Sequence, residues 1–159
     1  SFPTRRSSDL FNYVDKIWDT GTMERTSFID RGIFDLPIAV DWSGVLWWHE
    51  SGYDDGTAAM VSWIKTAPMD IEEGDRVLRV ESIVPDMVLI GAAKVKTYTR
   101  RFPMDTLREG AFLPVAATTR KVDTRVEGRQ IALEFRSDTL GAWWRLGRQR
   151  ISITQGGKR

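Results

Sequence analysis

The chain has 159 residues, with 23 Lys and Arg against 22 Asp and Glu, a formal net charge of +1, and 42% hydrophobic residues. That length suits one globular domain or slightly more, and a chain of roughly 150 residues buries about 68–70% of its unfolded surface, enough for a proper core. The absence of Cys excludes disulfides and thiolate metal sites. Apolar runs such as Met87-Val88-Leu89-Ile90 are far too short to span a membrane as a helix.

The first ten residues, SFPTRRSSDL, have no hydrophobic period, two adjacent arginines and three serines. In order, they match the translation of a common sequencing-library adapter. That resemblance implies that residues 1–10 are a disordered artefact outside the fold. It also implies that the rest is the C-terminal part of a longer protein. Without Arg5, Arg6 and Asp9 the formal charge falls to zero and the apparent basic arm disappears.

Residues 11–66 hold five tryptophans, Trp18, Trp42, Trp47, Trp48 and Trp63, and read as hairpins. The segment SGYDDGTA separates VLWWHE from MVSWIK, and Asp55-Gly56 is a strong short-range hairpin signal. A domain boundary is expected near Ala67-Pro68. Beyond it, IEEGDR places Gly74-Asp75 before a strand over Arg76–Val84. Next, AAKVKTYTRRF sets Val95, Thr97 and Thr99 against Lys94, Lys96, Tyr98 and Arg100 with a period of two. Pro103 ends that ladder, and Thr106–Gly110 has room for one helical turn at most. QIALEFR puts Ile131, Leu133 and Phe135 on one face, and WRLGRQRISIT (Trp144–Thr154) reads as a last strand in which Gly147 marks a bulge rather than an end. Short strands with regularly spaced turns predict an all-β, antiparallel sandwich-like domain or the blades of a propeller.

Candidate chemistry is sparse. His49, the one histidine, stands beside Glu50 in WWHES, and strand alternation puts the two on opposite faces. A general base needs a substrate or nucleophile in reach, and a metal needs further ligands, so a structural role is expected for His49. Asp54-Asp55-Gly56 lacks the alternate ligands and final Glu of a calcium loop and reads as a turn. Glu72, Glu73 and Asp75 read the same way. Seven tryptophans suit stacking on sugar rings, filling between sheets, or a protein interface. In each adjacent pair, Trp47-Trp48 and Trp143-Trp144, one ring must point outward and needs cover. Residues 120–159 carry ten Lys and Arg against four acids, which alternation makes a solvated sheet face, with DNA or an acidic neighbour as the other occupant.

From IWDTGTMERTSFIDRGIFDLPIAVDWSGVLWWHESGYDDG onward, the chain resembles the C-terminal part of tail-hub proteins of short-tailed bacteriophages, the group that includes packaged-DNA stabilisation proteins. The landmarks occur in order: Trp18, Gly21, Arg25 and Thr26; His49, Glu50 and Gly52; Gly74 to Arg76; Pro85-Asp86; Glu127 to Phe135; Trp144 to Gly147; and the closing GGKR. The resemblance implies hairpin blades left from a β-propeller over residues 11–66 and an antiparallel β-domain over 67–159. It implies no catalytic residue and no cofactor. The expected role is a non-enzymatic structural component of the virion tail or neck, assembled in the host cytoplasm as a homo-oligomeric ring. Its partners would be other tail or portal-adaptor proteins, with non-specific DNA contact and no membrane. Trp48, Trp143, Arg145, Arg148 and Arg150 are the expected interface residues. The other reading is a carbohydrate-binding or glycan-hydrolysing β-module that uses exposed tryptophans.

Overall fold

Alternating apolar residues with turn-forming residues between them build strands throughout the computed structural model, which describes residues 7–12, 16–22, 24–70 and 76–155. Among these residues there is no helix, and the strands pair antiparallel. The chain divides into two units, Ser1–Gly52 and Tyr53–Arg159.

In the first unit, β1 (Ser7–Asn12) pairs with β2 (Ile17–Thr22). Residues 7–10, expected to be disordered, are thus paired, while residues 1–6 lie outside the described set. A three-stranded sheet follows: β3 (Ser27–Ile29), β4 (Ile38–Val40) and β5 (Leu46–Trp48). Its β4–β5 turn is stapled by Asp41, whose side chain accepts from the Ser43 and Val45 amides at 2.8 and 3.0 Å.

In the second unit, β6 (Asp54–Asp55) and β7 (Ala58–Ala59) form a small hairpin in which Gly56 takes a φ of +63°. A hairpin forms where Asp55-Gly56 signals one, but its two loop residues are Gly56 and Thr57 while Asp55 ends the strand, a turn with glycine at the first loop position, where positive φ is required. β8 (Ser62–Lys65) and β9 (Met69–Asp70) then pair with the much later strand β16. The boundary expected near Ala67-Pro68 therefore falls inside one sheet, and the division lies at Gly52 instead. Thr66 clamps that sheet from both sides. Its amide donates to the Leu133 carbonyl at 2.9 Å, and its hydroxyl accepts the Leu133 amide at 3.0 Å.

The remaining strands are β10 (Leu78–Val84), β11 (Met87–Ile90), β12 (Ala92–Arg100), β13 (Arg108–Glu109), β14 (Leu113–Ala116), β15 (Val122–Gly128), β16 (Gln130–Ser137), β17 (Trp143–Leu146) and β18 (Arg150–Gln155). One sheet runs β15-β10-β18, and a six-stranded sheet is built on β13-β12-β16-β8, with β14 on β12 and β9 on β16. The two share a core in a sandwich-like arrangement: Val80, Ile83 and Val122 from the first sheet meet Val95, Val115, Ile131, Leu133 and Phe135 from the second. The period-two faces read from QIALEFR and AAKVKTYTRRF are the ones that form this core.

Two local expectations change. Thr106–Gly110 makes no helical turn; Arg108 and Glu109 pair with Thr99 and Tyr98 as β13. The Gly110 amide donates to the Thr97 carbonyl at 2.8 Å, so the backbone there is committed to the sheet edge. The Trp144–Thr154 strand is also interrupted, because β17 pairs with β11 while β18 pairs with β10. Across the break Pro85 and Asp86 face Gly147, Arg148 and Gln149, two residues against three, and the Gly147 amide donates to the Asp86 carbonyl at 2.6 Å. The extra residue is bulge-like in count, and the chain changes sheets there. A Cβ at Gly147 would lie 2.9 Å from the Asp86 carboxylate, so only glycine fits without movement.

Candidate functional site

The Trp pairs split as strand alternation requires. Trp47 is half-buried and its indole N–H donates to Asp41 at 2.7 Å, while Trp48 is 55% exposed and meets the Phe34 ring edge-on at 5.7 Å. Trp144 packs against the core and donates to the Ser62 hydroxyl at 2.8 Å, whereas Trp143 is 37% exposed. On the outer face of the β11–β17 ribbon Trp143 pairs with Ile90, and Arg145 pairs with Val88. Tyr53 lies 6.4 Å from Trp143, ring to ring, tilted by 40°. Arg148 sits in the break and Arg150 opens β18 opposite Val84, so neither belongs to the ribbon. Trp48 stands in the other unit. The expected interface residues therefore fall into four places, and only Trp143 and Arg145 share a face. All three arginines are exposed and, among the described residues, make no ion pair or side-chain hydrogen bond.

Around Trp48, the first unit shows a large apolar surface. Cross-strand pairing puts Ile29 and Ile38 on the face of Trp48, with Leu46 beside it on β5; Ile29, Leu46, Trp48 and the neighbouring Phe34 are exposed, as is Ile33, while Phe28 is exposed on the opposite face. Among the residues of this unit whose side chains are described, only Pro37 and Ala39 are buried. A three-stranded sheet of this size draws stability from covering one face; on the Trp47 face Ala39 is buried and Arg25 lies over the Trp47 ring, whereas on the Trp48 face Ile29, Leu46 and Trp48 stand exposed.

His49 lies beyond the end of β5, where its Nε2 accepts from Arg25 Nε at 3.2 Å and its ring meets Phe28 edge-on at 5.9 Å. Arg25 also lies over the Trp47 ring at 5.1 Å. Strand alternation does not reach Glu50, which takes a φ of +58° and pairs with Arg31. The two side chains are thus engaged in separate contacts. Asp54, in β6, accepts the Gly141 amide at 2.7 Å, a contact that ties this hairpin to the segment before β17. Glu72, Glu73 and Asp75 lie outside the described residues. Among the described residues no group of three or more metal-ligating side chains comes together.

The sequence reading missed a polar ladder on the outer face of the six-stranded sheet. Cross-strand pairing sets Lys65, Glu134 and Lys96 side by side on β8, β16 and β12, and Lys96 pairs with Glu109 on β13. The ladder alternates in sign. Buried Tyr98 donates its hydroxyl to buried Glu134, with Lys65 Nζ 3.4 Å from the Tyr98 ring centre. Burial, then the bond to Glu134, push the Tyr98 phenol above the ordinary tyrosine range. Hydrogen bonding to Lys96 holds the Glu109 carboxyl below its usual range, and the same contact raises Lys96. Nearby, Lys94 pairs with Asp138 at 2.8 Å. These groups satisfy one another, as a face of charged residues laid across strands should. Alternating charge had been visible strand by strand, but which strands lie side by side had not. Comparison with protein-family models and with curated proteins returns no match.

Proposed function

We propose that this chain is a non-enzymatic structural part of a short-tailed phage virion, a tail-hub or neck component that acts by rigid assembly with neighbouring tail or portal-adaptor proteins. The observation that carries the reading is the first unit's sheet, whose large apolar side chains stand exposed around Trp48 with almost nothing buried beneath them. Contiguous apolar surface of this kind marks a contact site in proteins that work by association. Exposed arginines at 145, 148 and 150 add charge at the second unit, where complementarity sets partner choice and association rate more than raw affinity. The ordered sequence landmarks supply the phage context, and the propeller-blade origin of residues 11–66 belongs to the same proposal.

The test is co-sedimentation of the full chain with purified portal and adaptor rings of a short-tailed phage. Binding that weakens with salt and is lost in Trp48→Ala is the expected result. A chain that stays in the supernatant with every ring tested overturns the reading.

One observation favours the carbohydrate reading: Tyr53 and Trp143 are both exposed and in ring contact. Glycan-array binding that disappears in Trp143→Ala would move the assignment there.

A further inference from the structure

A cleft of about 430 Å³ opens between the end of β12, the 101–110 segment and the edge strand β15. Four arginines line it: Arg100, Arg101, Arg108 and Arg125. Three carboxylates share the lining, Asp105, Glu109 and Glu127. Two of these are already engaged, Glu109 with Lys96, and Asp105 as acceptor of the Phe102 amide at 3.0 Å. The arginines are in the opposite condition. Among the described residues Arg101, Arg108 and Arg125 make no ion pair and no side-chain hydrogen bond.

Arg100 is positioned from behind. Its Nε donates to Oε1 of Gln130, a buried side chain whose own amide donates to Asp70 at 2.7 Å. That relay spends one N–H of the guanidinium on orientation and leaves the rest of the planar fork to meet a ligand. Arg125 has a second distinction, since it also lines two neighbouring concavities, one on the outer face of β10 and β15 and one between β15 and the β12–β14 edge.

We propose that this cleft binds a small ligand through a phosphate-type oxyanion group, with Arg108 and Arg125 as fork-shaped contacts and Arg100 as the positioned base of the site. Planar guanidinium forks match the oxygens of phosphate two at a time, and charge-assisted bonds of this kind are the strong ones. The volume falls in the range of small-molecule sites, roughly 300–1,000 Å³. Beyond the cleft the outer face of β10 and β15 mixes signs, Arg79 and Lys121 with Glu81 and Asp123, and Lys121 is already paired with Asp123 at 2.9 Å, so the positive charge does not continue for a long polyanion to follow.

Isothermal titration of the full chain with inorganic pyrophosphate at low ionic strength tests this, with a short DNA duplex as the second titrant. A saturable pyrophosphate isotherm is expected. Affinity should fall at least roughly tenfold in Arg108→Ala and in Arg125→Ala, and also measurably in Arg125→Lys, which keeps the charge but loses the fork. Gln130→Ala should weaken binding through Arg100. Arg108 and Arg125 are exposed, so the unliganded melting temperature of their variants should match that of the parent. No saturable pyrophosphate binding, or equal affinity in the arginine variants, overturns the proposal. So does a duplex that binds through the same arginines while pyrophosphate does not.

Discussion

In the turn between β4 and β5, one carboxylate holds the chain in shape. Asp41 accepts from the Ser43 hydroxyl, the Ser43 and Val45 amides and the Trp47 indole, at 2.6 to 3.0 Å. The bonds from Ser43 and Trp47 are the main reason its carboxyl sits far below the usual carboxylate range. Because the folded value is depressed, the stabilisation is complete at neutral pH and is lost as pH falls below the ordinary carboxylate range towards the folded value. Asp41→Asn should free the Trp47 indole and change its fluorescence at neutral pH; an unchanged Trp spectrum would deny Asp41 that role. Tyr98 gives the opposite sign. Its folded value is raised, so the neutral phenol stabilises the fold below the ordinary tyrosine range and the contribution is lost as pH rises through it. Tyr98 should ionise late in an ultraviolet titration, and Tyr98→Phe should remove that step. A late step that survives the substitution would belong to another residue.

At the scale of elements, β16 is the centre of the second unit. Gln130–Phe135 are all buried: Ile131, Leu133 and Phe135 line the core, while Glu134 on the opposite face is part of the polar ladder. Phe135→Ala should cost about 3–5 kcal/mol, the usual range for deleting a buried aromatic ring, measured by denaturant unfolding. Much smaller loss would mean that the core collapses around the gap. Gly147→Ala sets a methyl against Asp86 where the chain crosses between sheets; both residues are exposed, so the Asp86 carboxylate can swing aside, and the loss in denaturant unfolding should be clearly smaller than that of Phe135→Ala. The faces of β12 and β16 were readable from their period-two patterns. The β17–β18 interruption was only half readable: Gly147 signalled an irregularity, but the change of sheet depends on what β10 and β11 do some sixty residues earlier.

For the whole molecule, the question is what covers the apolar surface of the first unit. Ile33, Leu46 and Trp48 are exposed, and a chain carrying such a patch should associate. Sedimentation velocity should show concentration-dependent association that a Trp48→Ser, Leu46→Ser double substitution reduces. A monomer at every concentration would mean that the patch is tolerated in water. Trp143 is a weaker contributor, partly covered by Tyr53.

Local pattern alone determined the all-β class, the inward faces of the two longest strands, the Gly56 hairpin and the inward–outward split of the tryptophan pairs. Each depends on residues within one strand or turn, where alternation and backbone preference act directly. Pairing decided the rest. The division at Gly52 follows from β8 reaching β16, and β13 replaces a helical turn because the edge of β12 is open to it. The Lys65–Glu134–Lys96–Glu109 ladder and the arginine cleft gather side chains from strands far apart in the chain. Such contacts depend on register between distant segments, and a period of two is compatible with many registers.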